Sequence, residues 1–376
     1  VTLKLRSFIS LIIVLSVSVY LVSCSSALGA GTDSNAAISQ STQSIIQGQT
    51  DISTSIIETT ITVTPTPTPT PTLIPEPEHV LVSFLGDCTL GEPLTWDGSE
   101  SGFDSVVGGD MNYCFQNSAD ILSSDDMTLA NLEGTFTDAT SHLDKEFVFG
   151  SPSEYCEMLV NGSVECVNLA NNHTYDYLDE GLADTQETLT SYGVVWSNEY
   201  TIATYEVRGV LIGMAGTSFS SYSQTMFDAI DDMKAMGCNI IIISCHWGYE
   251  RDYEPRAEQT DLGHQLIDYG ADIVVGTHPH RLQPIEEYNG KYILYSISNF
   301  VFGGNTYLSD PDTAIVQCEF IMDSTNTYVE EYRINVIPFR QTTNYPGNDY
   351  CPTPYTWGSD EYYRVMQRLN WVQEDE

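Results

Sequence analysis

The sequence predicts an α/β domain of two mixed sheets packed face to face, placed after a disordered N-terminal segment. Three observations carry this. From His79 to Val275, short apolar runs alternate with amphipathic stretches, as strands and their covering helices do. After Gly290, strand-like runs follow one another with little helix between them, as in an antiparallel portion. Before His79 the chain is rich in Ser, Thr, Gln and Gly and then repeats Thr-Pro, a composition that buries little and stays extended.

The predicted strands of the alternating part are His79 to Leu85, Met127 to Leu132, Glu165 to Leu169, Val210 to Ala215, Asn239 to Ser244 and Asp272 to Val275. Helical patterns at Glu180 to Tyr192, Gln224 to Met236 and Ala257 to Tyr269 lie between several of them. Lys291 to Ser296, Ile315 to Ile321 and Tyr328 to Ile337 supply the later strands. No internal repeat is present.

At the N-terminus, Lys4 and Arg6 precede an apolar run from Phe8 to Val22 that ends in Leu21-Val22-Ser23-Cys24. Basic residues before so short a run, with small residues after it, disfavour a spanning helix. The pattern resembles a bacterial lipoprotein signal peptide, with Cys24 as the lipidated residue; an ordinary secretory signal is the alternative. The expected organisation is a signal peptide over 1–24, a Ser/Thr/Pro-rich linker over 25–78 and a folded domain over 79–376. Lipid attachment would hold the domain on the extracellular face of the cell membrane.

The net charge of −39 argues against nucleic acid as a partner. Solubility is the simpler account of it, and cation attraction the sharper alternative. Of nine cysteines, removing Cys24 leaves eight, without CxxC spacing, and their pairing is not readable from sequence.

Polar side chains gather where the apolar runs end. The first strand runs into GDCTLG with Asp87, and MTLANLEGTF delivers Asn131 and Glu133. NLANNHTYDY carries Asn171, Asn172, His173 and Asp176. IIIISCHWGYERDYEP carries His246 and Glu250, and IVVGTHPH carries His278 and His280. Loops at the carboxyl edge of an open sheet can converge, so these sets are expected to meet. Each is weak alone: a Gly-Asp is commonly a turn, and a single His is commonly structural. Together, carboxylate, amide and imidazole donors suit Mn, Fe or Zn better than calcium.

In this order and spacing, GDCTLG, NLEG, ANNHTYDY, HWGYERDYEP, GTHPHRLQPIE and YSISNFVFG resemble the CapA capsule-synthesis, or poly-γ-glutamate synthesis, family. The resemblance covers His79 to about Pro338. That family is similar in turn to the calcineurin-like metallophosphatases, which implies an αββα sandwich and one or two divalent metal ions. Carried over, Asp87, Glu133, Asn172, His246, His278 and His280 are metal ligands, with Glu133 in the bridging position. His173 is the imidazole acting on substrate; Asp176 and Glu250, from CapA-type motifs without an obvious metallophosphatase equivalent, would be the acids that position it. Asn299 belongs to a CapA-type motif and joins the substrate-binding set. Thr89 stands where a metallophosphatase usually has a histidine, and Leu178 and Ser298 replace expected glycines.

The resemblance implies a surface protein that makes, exports or anchors an anionic polymer, with membrane subunits of a synthase or exporter as partners. Arg251, Arg256 and Arg281 could clamp carboxylate or phosphate, or simply neutralise nearby acids. A metal-dependent extracellular phosphoesterase and a non-catalytic polymer-assembly subunit are the alternatives. Whether the chain is a hydrolase, a transferase or no enzyme stays open at this point.

Overall fold

The computed structural model describes residues 76–96, 99–218 and 223–371. The expected signal peptide, the lipidated Cys24 and all but the last three residues of the linker lie outside the described residues. Val80, Val82 and Phe84 open β1 (His79–Thr89), every second side chain facing one core. Short helices α1 (Phe103–Val107) and α2 (Ala119–Leu122) lead to β2 (Met127–Leu132), followed by a two-stranded pair, β3 (Thr135–Phe136) and β4 (Gly150–Ser151). Next come α3 (Cys156–Asn161), β5 (Cys166–Asn168), α4 (Leu178–Tyr192), β6 (Val195–Ser197), β7 (Ala203–Val207) and β8 (Val210–Ser218). Helix α5 (Ser223–Met236), β9 (Ile240–His246), α6 (Ala257–Tyr269) and β10 (Ile273–Thr277) complete the alternating part. The remainder is β11 (Leu282–Tyr288), β12 (Lys291–Ile297), β13 (Asn299–Phe302), β14 (Asp312–Met322), β15 (Val329–Arg340), β16 (Thr353–Pro354) and α7 (Asp360–Arg368).

The strands form two mixed sheets. One is eight-stranded in the order β16-β15-β14-β1-β2-β5-β6, with β13 also pairing β1; the other is six-stranded, β11-β12-β10-β9-β8-β7. In the first, β1, β2, β5 and β6 run parallel while β14 and β15 are antiparallel. In the second, β8, β9, β10 and β12 run parallel, with antiparallel β7 and β11 at the edges.

The period of two decides which layer each side chain joins. Ile240 and Ile242 face the core between the sheets with Val80, Val82, Phe84 and Met127. Ile241 and Ile243 face the other way, against Ile230, Leu266 and Ile267 of α5 and α6. On the far side of the first sheet, Ala130, Leu132 and Val167 meet Met158, Leu159 and Leu189 of α3 and α4. The layers are thus helix, sheet, sheet, helix, the expected αββα sandwich. A buried isoleucine contributes about 2 kcal/mol, so this alternation fixes the register of β9 firmly.

Several elements depart from the sequence reading, three of them with a clear cause. Strand β1 extends four residues beyond Leu85, carrying Asp87 inside it. Strand β11 was not expected, because Pro284 and the adjacent acids hide its alternation. Helix α7 lies past the last recognisable motif and packs Tyr362, Val365 and Met366 onto the inter-sheet core. All eight cysteines among the described residues are free thiols. No described helix is long and apolar enough to cross a membrane.

Candidate metal centre

The expected ligands converge on one edge because parallel strands end there together. Strand β1 has a register irregularity between Phe84 and Asp87, which re-aims Asp87. Its neighbour Gly86 must lack a side chain, since a Cβ there would lie 1.9 Å from the Ser298 carbonyl oxygen. That close approach lets the Asp87 N–H donate to Ser298 O at 3.0 Å and sets Asp87 opposite Asn299 of β13. His278 and His280 follow β10 with φ of 96° and 51°, left-handed values that cost about 1–3 kcal/mol each in non-glycine residues.

Two groups of donors result. Donor atoms of Glu133, His246 and His278 lie within 4.8 Å of one another, as do those of Asp87, Glu133 and His280. Glu133 belongs to both, the place the resemblance gives to a bridging ligand. Both its carboxylate oxygens are buried without a hydrogen-bond partner among the described residues. An isolated buried carboxylate is costly to leave charged. A divalent cation in this cup would remove that cost.

Asn172 Oδ1 lies 2.7 Å from His246 Nε2, so the amide and imidazole donors face one another. On the other side of the ring, His246 Nδ1 is 3.0 Å from Thr277 Oγ1. Asn131, itself held by Asn168 at 2.9 Å, donates to Asp87 Oδ1 at 2.8 Å. These amides and the Thr277 hydroxyl orient the candidate ligands from behind.

Electrostatics follow the packing. Burial pushes Glu133 well above the usual carboxylate range, and the Asp87 charge pushes the same way. Burial would also raise Asp87, but the hydrogen bond and charge of His280, with His246 and Asn131, hold it at about 2. His280 is raised to about 9 because Glu133 and Asp87 outweigh its burial. Burial lowers His246, His278 and His173, leaving these three rings neutral near pH 7.

Beside this cup, His173 Nδ1 lies 2.8 Å from Asp176 Oδ2 and its Nε2 lies 3.8 Å from Glu133 Oε1. Asp176 is fully buried; it accepts from the Phe149 N–H at 2.7 Å and is ion-paired with Lys145. Lys145 also donates to the Asn172 carbonyl at 3.0 Å. It escapes sequence reading because it sits in a long irregular loop outside every motif.

A pocket of about 140 Å³ opens above, lined by His173, His280, Phe149, Phe302, Arg251 and Arg281 among others. Glu250 stands exposed on its rim, so of the two acids expected to position His173 only Asp176 touches it. Arg281 donates to the His280 carbonyl at 2.6 Å and to Ser309 at 2.7 Å. Arg256 is set apart: it pairs with Asp252, lies over Tyr249 and borders a neighbouring cleft with Gly248 and His278. Asn299 is 2% exposed, its Oδ1 2.6 Å from His280 Nδ1, and so supports that ring from below.

The departures from the family pattern have local explanations. Thr89 donates to the Glu133 carbonyl at 2.7 Å, bracing the backbone of the shared carboxylate. Leu178 and Ser298, where glycines were expected, have φ of 59° and 67°. The backbone therefore keeps the glycine-type conformation at both positions.

A family model described as bacterial capsule synthesis protein PGA_cap matches residues 81–304. The chain is 30% identical over 271 residues to the PGA biosynthesis protein CapA of Bacillus subtilis (strain 168), covering 65% of this chain and 69% of that protein. It is 27% identical over 272 residues to the capsule biosynthesis protein CapA of Bacillus anthracis, covering 64% of each. Among solved structures, a novel phosphatase from Mycoplasma pneumoniae is similar at a TM-score of 0.42 and 14% identity, over 70% of this chain and 94% of that one.

Proposed function

Because the chain belongs to the bacterial capsule synthesis protein family PGA_cap, we propose that it is a metal-dependent surface component of poly-γ-glutamate capsule biosynthesis, export or anchoring. It would work beside membrane subunits of a polymer synthase or exporter. The basic-apolar-Cys24 pattern supports a lipid anchor on the extracellular face.

The observation that carries the metal is Glu133, buried between two donor groups with neither oxygen hydrogen-bonded among the described residues. Asp87, Glu133, Asn172, His246, His278 and His280 would hold one or two ions. A divalent ion there supplies Lewis acidity toward a carbonyl or phosphoryl oxygen. Asp176 accepts from His173 Nδ1, so a neutral His173 presents the lone pair of Nε2 to take and return a proton at the reacting group. Lys145 neutralises Asp176 and fixes the loop that carries His173. Phe149 and Phe302 narrow the access of water, and Arg251 and Arg281 offer guanidinium donors to a carboxylate of the polymer.

The test is metal content and polymer output together. In a host carrying the synthase and exporter, Asp87→Ala and His246→Ala should lose bound metal and lower surface polymer. Full polymer output from metal-free variants would overturn the reading. The same guanidiniums also fit a phosphate ester, which makes an extracellular phosphoesterase the second reading. Release of phosphate from simple esters by the metal-loaded protein would favour it.

A further inference from the structure

A second cleft adjoins the pocket over the metal centre and shares Ser309 and Asp310 with it. It encloses about 300 Å³ and is lined by Arg340, Arg364 and Arg368 beside Tyr345, Tyr355 and Glu361. Three guanidiniums on one wall are notable in a chain with 13 Lys and Arg against 52 Asp and Glu.

Two of the three are already committed. Arg364 grips Asp312 with Nε and one terminal nitrogen, each at 2.7 Å. Arg368 donates to both oxygens of Asp310 at 2.8 Å and to Asp312 at 2.6 Å. These pairs tie α7 to Asp310 in the loop before β14 and to Asp312 at its first residue, and fix the shape of the cleft. Arg340 differs. It ends β15 half-buried, and no hydrogen bond or ion pair among the described residues engages its side chain. A guanidinium placed on a cleft without its own counter-ion is the kind of group that recruits an external carboxylate.

Arg281 lines the first pocket, and its Nε lies 3.7 Å from Asp310 of the wall that the two pockets share. Guanidiniums therefore run from Arg251 at the first pocket, through Arg281, to Arg340 at the second. A polymer bearing one carboxylate per unit would meet them in succession. On an acidic molecule such a track also supplies the local positive field that a polyanion needs in order to approach.

We propose that the Arg340 cleft is a second anion subsite, which holds a distal carboxylate of an extended polycarboxylate chain whose reacting unit lies at the metal centre. This rests on the poly-γ-glutamate reading above. The subsite makes binding depend on chain length, and its contribution weakens as salt rises.

Equilibrium binding of γ-linked glutamate oligomers of increasing length to the purified protein tests it. Affinity should step up once the oligomer is long enough to reach the cleft. Arg340→Glu should remove that step, weakening long oligomers about tenfold while leaving metal content unchanged. Arg340→Lys, which keeps the charge without the planar fork, should fall between. Arg340→Ala, with an unchanged unfolding midpoint, provides the same comparison should the Glu variant misfold. If all three variants bind long oligomers as the wild type does, the subsite is wrong although the polymer reading stands. If the metal-loaded wild type binds no oligomer of any length, the polymer reading falls and takes the subsite with it. Arg340-dependent binding of inorganic polyphosphate without oligomer binding would overturn the ligand class.

Discussion

His173 Nδ1 lies 2.8 Å from Asp176 Oδ2, closer than Lys145 Nζ at 3.2 Å, while Nε2 faces Glu133 at 3.8 Å. A carboxylate can only accept, so Nδ1 carries the proton and Nε2 is left to the site. Lys145 supports the arrangement by neutralising the fully buried Asp176.

Asp176→Asn should therefore damage function without emptying the site. An amide can donate to Nδ1 and so release the opposite tautomer, turning an N–H toward Glu133. Bound metal should stay near the wild-type level while polymer output falls by about a hundredfold. Equal losses of metal and output would show that Asp176 merely holds the fold.

Thr277→Val should weaken metal binding by about 10–100-fold. Thr277 Oγ1 faces His246 Nδ1, so losing the hydroxyl frees the ring to rotate and to change tautomer. Competition against a chelator reads the affinity directly; Thr277→Ser, which keeps the hydroxyl, should restore it.

Ser298→Gly should stabilise the domain by about 1 kcal/mol. The backbone there is left-handed, and the buried Ser298 hydroxyl has no hydrogen-bond partner among the described residues. Leu178→Gly should gain less, because added freedom in the unfolded chain offsets part of the relief. Chemical denaturation measures both; a loss of stability in Ser298→Gly would show that the serine is held by something other than tolerance.

Acid should weaken one anchor of the domain away from the candidate metal centre. Burial would raise Asp126, but Arg208 outweighs it and holds the carboxyl below its ordinary 3.8. A carboxylate depressed on folding adds stability that is present above its unfolded value and lost as pH falls through its folded value. Arg208 also pairs with Glu78 at 2.9 Å, tying the start of β1. Denaturation midpoints should fall below about pH 4, and Arg208→Gln should flatten that part of the profile. An unchanged slope in the variant would remove this pair from the acid response.

The convergence of the candidate ligands was legible because each loop that carries one follows an apolar run, and in a parallel sheet such runs deliver their tails to one edge. Gly86-Asp87 read as a turn, yet β1 continues through it, since the missing Cβ lets the strand approach Ser298. Lys145 was hidden because nothing in a loop's sequence marks where it folds back. Arg340, Arg364 and Arg368 lie on β15 and α7, beyond the last motif, and only the tertiary fold carries them to the second cleft. Asn299 was legible as part of a motif, but its place beneath His280 depends on the pairing of β13 with β1.

The most direct test is the metal content of the purified protein, measured by elemental analysis beside Glu133→Gln. The wild type is expected to retain Mn, Fe or Zn, and the variant, whose amide keeps the volume but loses the charge, to lose most of it. A folded, stable wild type that takes up none of these ions at near-neutral pH would contradict the metal centre, and with it the chemistry proposed for His173.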